Sequence, residues 1–124
     1  MSEIEEKILY LSTHGDENLD KASIPFVLAN GALAMDVKAT VILQSKAVIF
    51  AKKGFAETVP ASGGFPPMQK LITDFMELGG TIQVCGPCIK AHGIETAELI
   101  DGATVTAAGQ VNIAAMEADA VFVY

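Results

Sequence analysis

Thr81-Ile82-Gln83-Val84-Cys85-Gly86-Pro87-Cys88-Ile89-Lys90-Ala91-His92-Gly93 decides how the rest of this chain is read. Residues 81–84 are short and rich in β-branched side chains, which predicts a buried strand. The residues after Gly86 suit a helix. Cys85 therefore falls where a strand ends and a helix begins. Gly86 permits the sharp turn, and Pro87 suits a first helical turn, where its missing N–H costs nothing. Free backbone N–H groups and the positive end of the helix dipole then face the sulfur. This predicts a Cys85 thiol below the ordinary cysteine value of about 8.5. Cys88 lies one turn further, within reach for a disulfide or for passing on a sulfur atom. The chain has no other cysteine.

Outward from this motif the pattern alternates. Residues 7–13 read as a first strand, apolar on both faces, as in a parallel sheet covered on both sides. His14-Gly15-Asp16-Glu17-Asn18 is a polar loop. A helix follows, starting near Asp20 or Ser23. A Ser23 cap puts Pro25 in the first turn, where proline is tolerated. Ile24, Val27, Leu28, Ala32 and Met35 share one face at helical spacing, and Gly31 on that face predicts close helix–sheet contact. Residues 37–43 form a second strand, and 47–53 a short helix broken at Gly54. Residues 60–67, rich in Pro and Gly, are a loop that carries Phe65. Met68, Leu71, Ile72, Phe75 and Met76 mark the clearest amphipathic helix, ended by Gly79-Gly80. After the cysteine motif come a turn or short helix over 94–100, a strand over 103–107, a small helix over 109–118 and a last strand over 120–124.

This order predicts a three-layer α/β/α sandwich with a five-stranded, mostly parallel sheet. Ligands in such sheets bind outside the carboxyl ends of the strands. That edge collects His14, the loop at Gln44-Ser45, and Cys85, so the cysteine lies where the architecture puts its chemistry.

The 124 residues suit a single domain, 1–124, and 51% of them are hydrophobic. No apolar run is long enough for a transmembrane helix. Residues 1–6, Met1-Ser2-Glu3-Ile4-Glu5-Glu6, are acidic where a signal peptide is basic, which points to a cytoplasmic protein. The formal charge of −7 disfavours nucleic acid and anionic membrane as partners. Only 19% of residues are charged, which suggests that part of the surface is buried in an oligomer.

Several chemistries compete for these residues. A free cysteine is often just a small buried hydrophobe; a second cysteine three residues on, across Gly-Pro, favours a reactive pair. Thioredoxins share Cys-Gly-Pro-Cys. Here Val84 stands where they have Trp, the motif comes late, and no Pro follows Pro87 to face the cysteines. Cys85, Cys88 and His92 have metal-ligand spacing, yet structural zinc sites draw on two such pairs and only one is present, so no metal is expected. His92 reads as an exposed helix residue. His14, on the active edge, is a candidate for proton transfer or for stabilising a thiolate. No glycine-rich phosphate loop and no nucleophile elbow occurs.

Taken together, several stretches resemble the DsrE/DsrF/TusD-like sulfur-relay family. They are the opening strand with its Gly-Asp loop, the small-residue helix around Ala29-Asn30-Gly31-Ala32, and Ala47-Val48-Ile49-Phe50-Ala51-Lys52-Lys53-Gly54. The last is strand-end Cys85 with His92-Gly93-Ile94 beyond it. The similarity covers nearly the whole chain. It implies a small α/β sandwich and homo-oligomers, trimers or hexamers. It also implies a cysteine, here Cys85, that takes sulfane sulfur as a persulfide and hands it to a partner protein, with no cofactor. Donors and acceptors would be proteins or low-molecular-weight persulfides. Cys88 departs from that pattern and leaves two chemistries open: a sulfur carrier, or a dithiol–disulfide redox protein using Cys85 and Cys88. A non-catalytic oligomeric binding module is the third reading. The candidate site is Cys85, Cys88 and His14.

Overall fold

The structure, a computed structural model, describes residues 5–124; the first four residues of the acidic N-terminal run lie outside the described residues. Five strands form one sheet: β1 (Lys7–Ser12), β2 (Lys38–Leu43), β3 (Thr81–Cys85), β4 (Thr104–Thr106) and β5 (Ala120–Val123). Their spatial order is β4-β3-β2-β1-β5, and every pairing is parallel. The helices are α1 (Leu19–Ala34), α2 (Met68–Glu77), α3 (Gly86–Ala91) and α4 (Ala108–Glu117). The mixed α/β sandwich expected from the sequence is the one observed.

Connection handedness assigns the layers. Steps from β1 to β2, β3 and β4 all move one way across the sheet, so right-handed crossovers put α1, α2 and α3 on one face. The step from β4 to β5 runs back across the whole sheet, and the same handedness puts α4 on the other. The pleat agrees. Leu9, Thr40 and Gln83 line a cavity with Ala114 and Glu117 of α4. On the opposite face, the hydroxyl of Tyr10 donates to the carbonyl of Leu28 in α1.

The core lies mainly beneath α1 and α2. Val41, Ile42 and Leu43 in β2 are consecutive and all buried, as a central parallel strand covered on both faces requires. Helix α2 buries Met68, Leu71, Ile72 and Phe75, the face its periodicity predicts, with Met76 packed at the margin. Coverage by α4 is thinner, since none of its residues is fully buried.

Four expectations about local structure need correction. The segment expected as a short helix is a 3-10 helix, Ser45–Ala51, packed on α3. Of the two starts expected for helix α1, the one near Asp20 is observed and the Ser23 cap is not: the helix starts at Leu19, capped by Asn18, whose side-chain oxygen accepts from the Lys21 N–H at 3.2 Å. Pro25 therefore sits inside the helix. It is buried there, and the Ser23 hydroxyl donates to the Leu19 carbonyl at 2.7 Å instead of capping. Packing holds this proline in place.

The buried face of α1 is also rotated from the expected one. It consists of Ala22, Ser23, Pro25, Phe26, Ala29 and Ala32, and Met35 is exposed. Gly31 does not make a close helix–sheet contact: it is exposed, and a Cβ there would meet nothing within 4 Å. Gly31→Ala should therefore stabilise the protein by about 0.5–1 kcal/mol, because alanine loses less backbone freedom in a helix. A rise in the urea midpoint would show it; a fall would mean Gly31 has a packing role.

Candidate functional site

Because α3 leaves β3 on one face and α4 follows β4 on the other, a crevice opens between the carboxyl ends of these neighbouring strands. This is a topological switch point, where open parallel sheets bind ligands. Cys85 and Thr106 are register partners there. A cavity of about 290 Å³ fills the crevice, lined by Gln44, Cys85, Pro87, Thr106 and the first turns of α4. The sequence locates Cys85 at the strand edge; the crossover of α4 provides the cavity beside it.

The local geometry of the motif follows its residues. Cys85 is the residue before α3, with extended backbone, and Pro87 occupies the first turn of that helix. Gly86 lies close under β4, and a Cβ there would stand 3.2 Å from Val105. Both cysteines are free and half-buried, with their sulfurs 2.6 Å apart. Cys85 faces the cavity; Cys88 does not line it. Cys88 Sγ instead accepts the backbone N–H of Ser45 at 3.2 Å.

The expected fall in the Cys85 pKa is reversed. Burial pushes the Cys85 thiol up, and the Cys88 side chain beside it adds to the rise. The Cys88 backbone N–H works the other way without closing a capping hydrogen bond. Desolvation, which disfavours the thiolate, outweighs the helix dipole here. Helix α3 spans only six residues, so its dipole is small. The thiolate is the reacting form, so alkylation of Cys85 should reach half its limiting rate at a pH above that of an ordinary cysteine. In Cys88→Ala that midpoint should move down, since one cause of the rise is gone. Peptide-resolved alkylation against pH reads both. A wild-type midpoint at or below the ordinary value would contradict the geometry.

His14 is not brought to the sulfurs. Strand β2 lies between its strand and β3. Its Nδ1 pairs with Glu17 at 2.7 Å, and Glu17 also accepts the Gly15 N–H at 2.6 Å. The imidazole hydrogen bond is the first cause holding the Glu17 carboxyl below its usual range. Among the described residues, His14 makes no hydrogen bond to either cysteine. Its loop braces the neighbouring turn instead: Asp16 pairs with Lys46 at 3.1 Å, and a Cβ on Gly15 would stand 2.8 Å from the Lys46 carbonyl. His92 is exposed at the end of α3. Among the described residues, no group of three or more His, Cys, Asp or Glu is placed to hold a metal ion. Among the described residues, no helix is long and apolar enough to cross a membrane.

In the sequence, Ser45 is visible only as part of an edge loop. Its contribution is a backbone N–H set by a left-handed turn, φ 51°, which no side-chain pattern announces.

Comparison with known proteins agrees with this architecture. The uncharacterized protein MJ0989 of Methanocaldococcus jannaschii is 31% identical over 97 residues, covering 78% of this chain and 81% of that protein. MJ0760 from the same organism, also uncharacterized, is 29% identical over 103 residues, 83% of this chain; the match spans only 37% of that longer protein. The crystal structure of the ychN protein from E. coli superposes with a TM-score of 0.74 at 19% identity, covering 96% of this chain and 99% of that one. At that identity the likeness concerns the fold. The profile of the DsrE/DsrF-like family matches residues 6–124, nearly the whole chain, and the chain belongs to that family.

Proposed function

We propose that this protein is a sulfur carrier of the sulfurtransferase type. Cys85 accepts sulfane sulfur as a persulfide and passes it to a partner thiol. The observation that carries this reading is the position of Cys85 at the crevice between β3 and β4, facing a cavity of about 290 Å³. Membership in a family generally related to sulfur relay supports it. The Cys85 thiolate attacks the outer sulfur of a donor persulfide, and the donor thiol leaves. An acceptor thiolate then attacks the terminal sulfur, and Cys85 leaves as thiolate. Both steps exchange sulfur between thiols, so no cofactor takes part. His14 belongs to the support of the site in this reading, not to its chemistry.

The chain works as a homo-oligomer, a trimer or hexamer, in the cytoplasm. Edge strand β5 exposes Val121, Phe122 and Val123, and α4 exposes Ile113 and Met116; this much apolar surface is suited to burial against other copies.

The test follows isotopically labelled sulfane sulfur. The Cys88→Ser protein is loaded from a labelled low-molecular-weight persulfide, desalted, and mixed with an acceptor thiol. Label is expected on the protein and then on the acceptor. Label that never enters the protein would refute the carrier.

The close pair of sulfurs favours one second reading, a dithiol–disulfide protein using Cys85 and Cys88. It predicts a reversible disulfide and no retained sulfur, even when Cys88 is replaced.

A further inference from the structure

Ser45 is one of two non-glycine residues with positive φ among those described. An L-residue adopts this conformation at a free-energy cost, so its surroundings must hold it there. Here the His14 loop does so through the Asp16–Lys46 pair and the tight approach of Gly15 to the Lys46 carbonyl. The turn leaves β2 abruptly and puts the Ser45 N–H on Cys88 Sγ. Cys88 Sγ is thus held between this N–H and Cys85 Sγ, while Cys85 alone of the two faces the cavity. An N–H donor stabilises a sulfur that carries negative charge.

We propose that Ser45 is a positioning residue for an internal second step: its backbone N–H holds Cys88 Sγ against Cys85, so that a persulfide on Cys85 is reduced to sulfide. The step rests on Cys85 carrying the persulfide. Cys88 Sγ attacks Cys85 Sγ. The Cys85–Cys88 bond forms and the bond from Cys85 Sγ to the terminal sulfur breaks. The terminal sulfur leaves with the bonding pair and its proton as HS⁻. Sulfane sulfur is reduced, and the two cysteines are oxidised to a disulfide. A dithiol reductant from solution returns the pair to its starting state. Sulfur on Cys85 therefore has two exits, a partner thiol or free sulfide, and the Ser45 turn sets the rate of the second.

The experiment is a single turnover. Reduced protein is mixed with glutathione persulfide without reductant; sulfide is measured with time and pH, and the protein by intact mass. Wild type should release one sulfide per chain and end as the disulfide. Cys88→Ser should hold the persulfide and release none. Ser45→Val places a β-branched residue at positive φ. It should slow release about tenfold at neutral pH and move the pH midpoint upward, while persulfide accumulates on Cys85. Ser45→Gly keeps the N–H, adopts the turn freely and should restore the rate and the midpoint. If Ser45→Val does not fold, a semisynthetic ester between Gln44 and Ser45 removes the N–H alone and should show the same slowing. Wild-type rate and midpoint in the valine or ester protein would overturn the role of Ser45. A wild type that holds its persulfide would overturn the second step. Failure of Cys88→Ser to hold any persulfide would instead refute sulfur carriage by Cys85.

Discussion

Cys85→Ser is expected to abolish sulfur loading, lowering its rate by at least about a hundredfold while leaving the fold intact. The hydroxyl is a far weaker nucleophile than a thiolate at any pH the protein tolerates. Cys88 does not substitute for it. Its sulfur is off the cavity lining and accepts the Ser45 N–H. A donor entering the crevice meets Cys85 first. The replaced atom is half-buried and holds together no core contact, so thermal unfolding should change little. Substantial loading that survives in Cys85→Ser would move the accepting role to Cys88 and reverse the assignment of the two cysteines.

Gly80→Ala is expected to give a large loss of stability at a site remote from the chemistry. Gly79, at φ 91°, ends α2, and Gly80 returns the chain to β3 with its N–H on the Phe75 carbonyl at 2.9 Å. That return passes directly over the Phe75 ring. A Cβ on Gly80 would overlap the ring edge, reaching 2.6 Å from Cδ1 and closer still to Cε1 and Cζ. Phe75 is fully buried and stands edge-on to Phe26, with centroids 5.7 Å apart, so the ring has little room to yield. Overpacking of this kind costs about 1–3 kcal/mol. The urea midpoint should fall accordingly, with sulfur loading retained wherever the protein is folded. An unchanged midpoint would show that the turn relaxes freely and that Gly80 is not held by Phe75.

The parts of the fold that were legible in the sequence are those written in one stretch of chain. Val41-Ile42-Leu43 is apolar at every position, and a strand buried on both faces follows. Met68, Leu71, Ile72 and Phe75 have one apolar face and a polar remainder, so the phase of α2 is unambiguous. Helix α1 lacks that contrast. Ile24, Val27 and Leu28 make one apolar stripe, and Ala22, Phe26 and Ala29 make another. Only the packed structure selects the second, because the smaller alanines let α1 approach the sheet. Gly31 goes with the first stripe and is therefore exposed.

The site shows the same division. Cys85 at a strand end, with Cys88 one turn on, is local information and was read from the motif. The cavity depends on α4 crossing to the opposite face, which follows from strand order. The pKa direction depends on burial and on a neighbouring thiol, neither of which a helix-end argument contains. Ser45 contributes through a backbone conformation fixed by Gly15 and Lys46. His14 has the residue type and edge position of a catalytic group, yet β2 separates its strand from that of Cys85.

The most direct measurement is the mass of the Cys88→Ser protein after exposure to glutathione persulfide, followed by peptide mapping under non-reducing conditions. Removing Cys88 closes the internal exit and leaves sulfur nowhere to go but an outside thiol. The expected result is a gain of one sulfur atom, carried by the peptide that contains Cys85 and lost when an acceptor thiol is added. An unchanged mass, or sulfur found only elsewhere in the chain, would contradict sulfur carriage by Cys85.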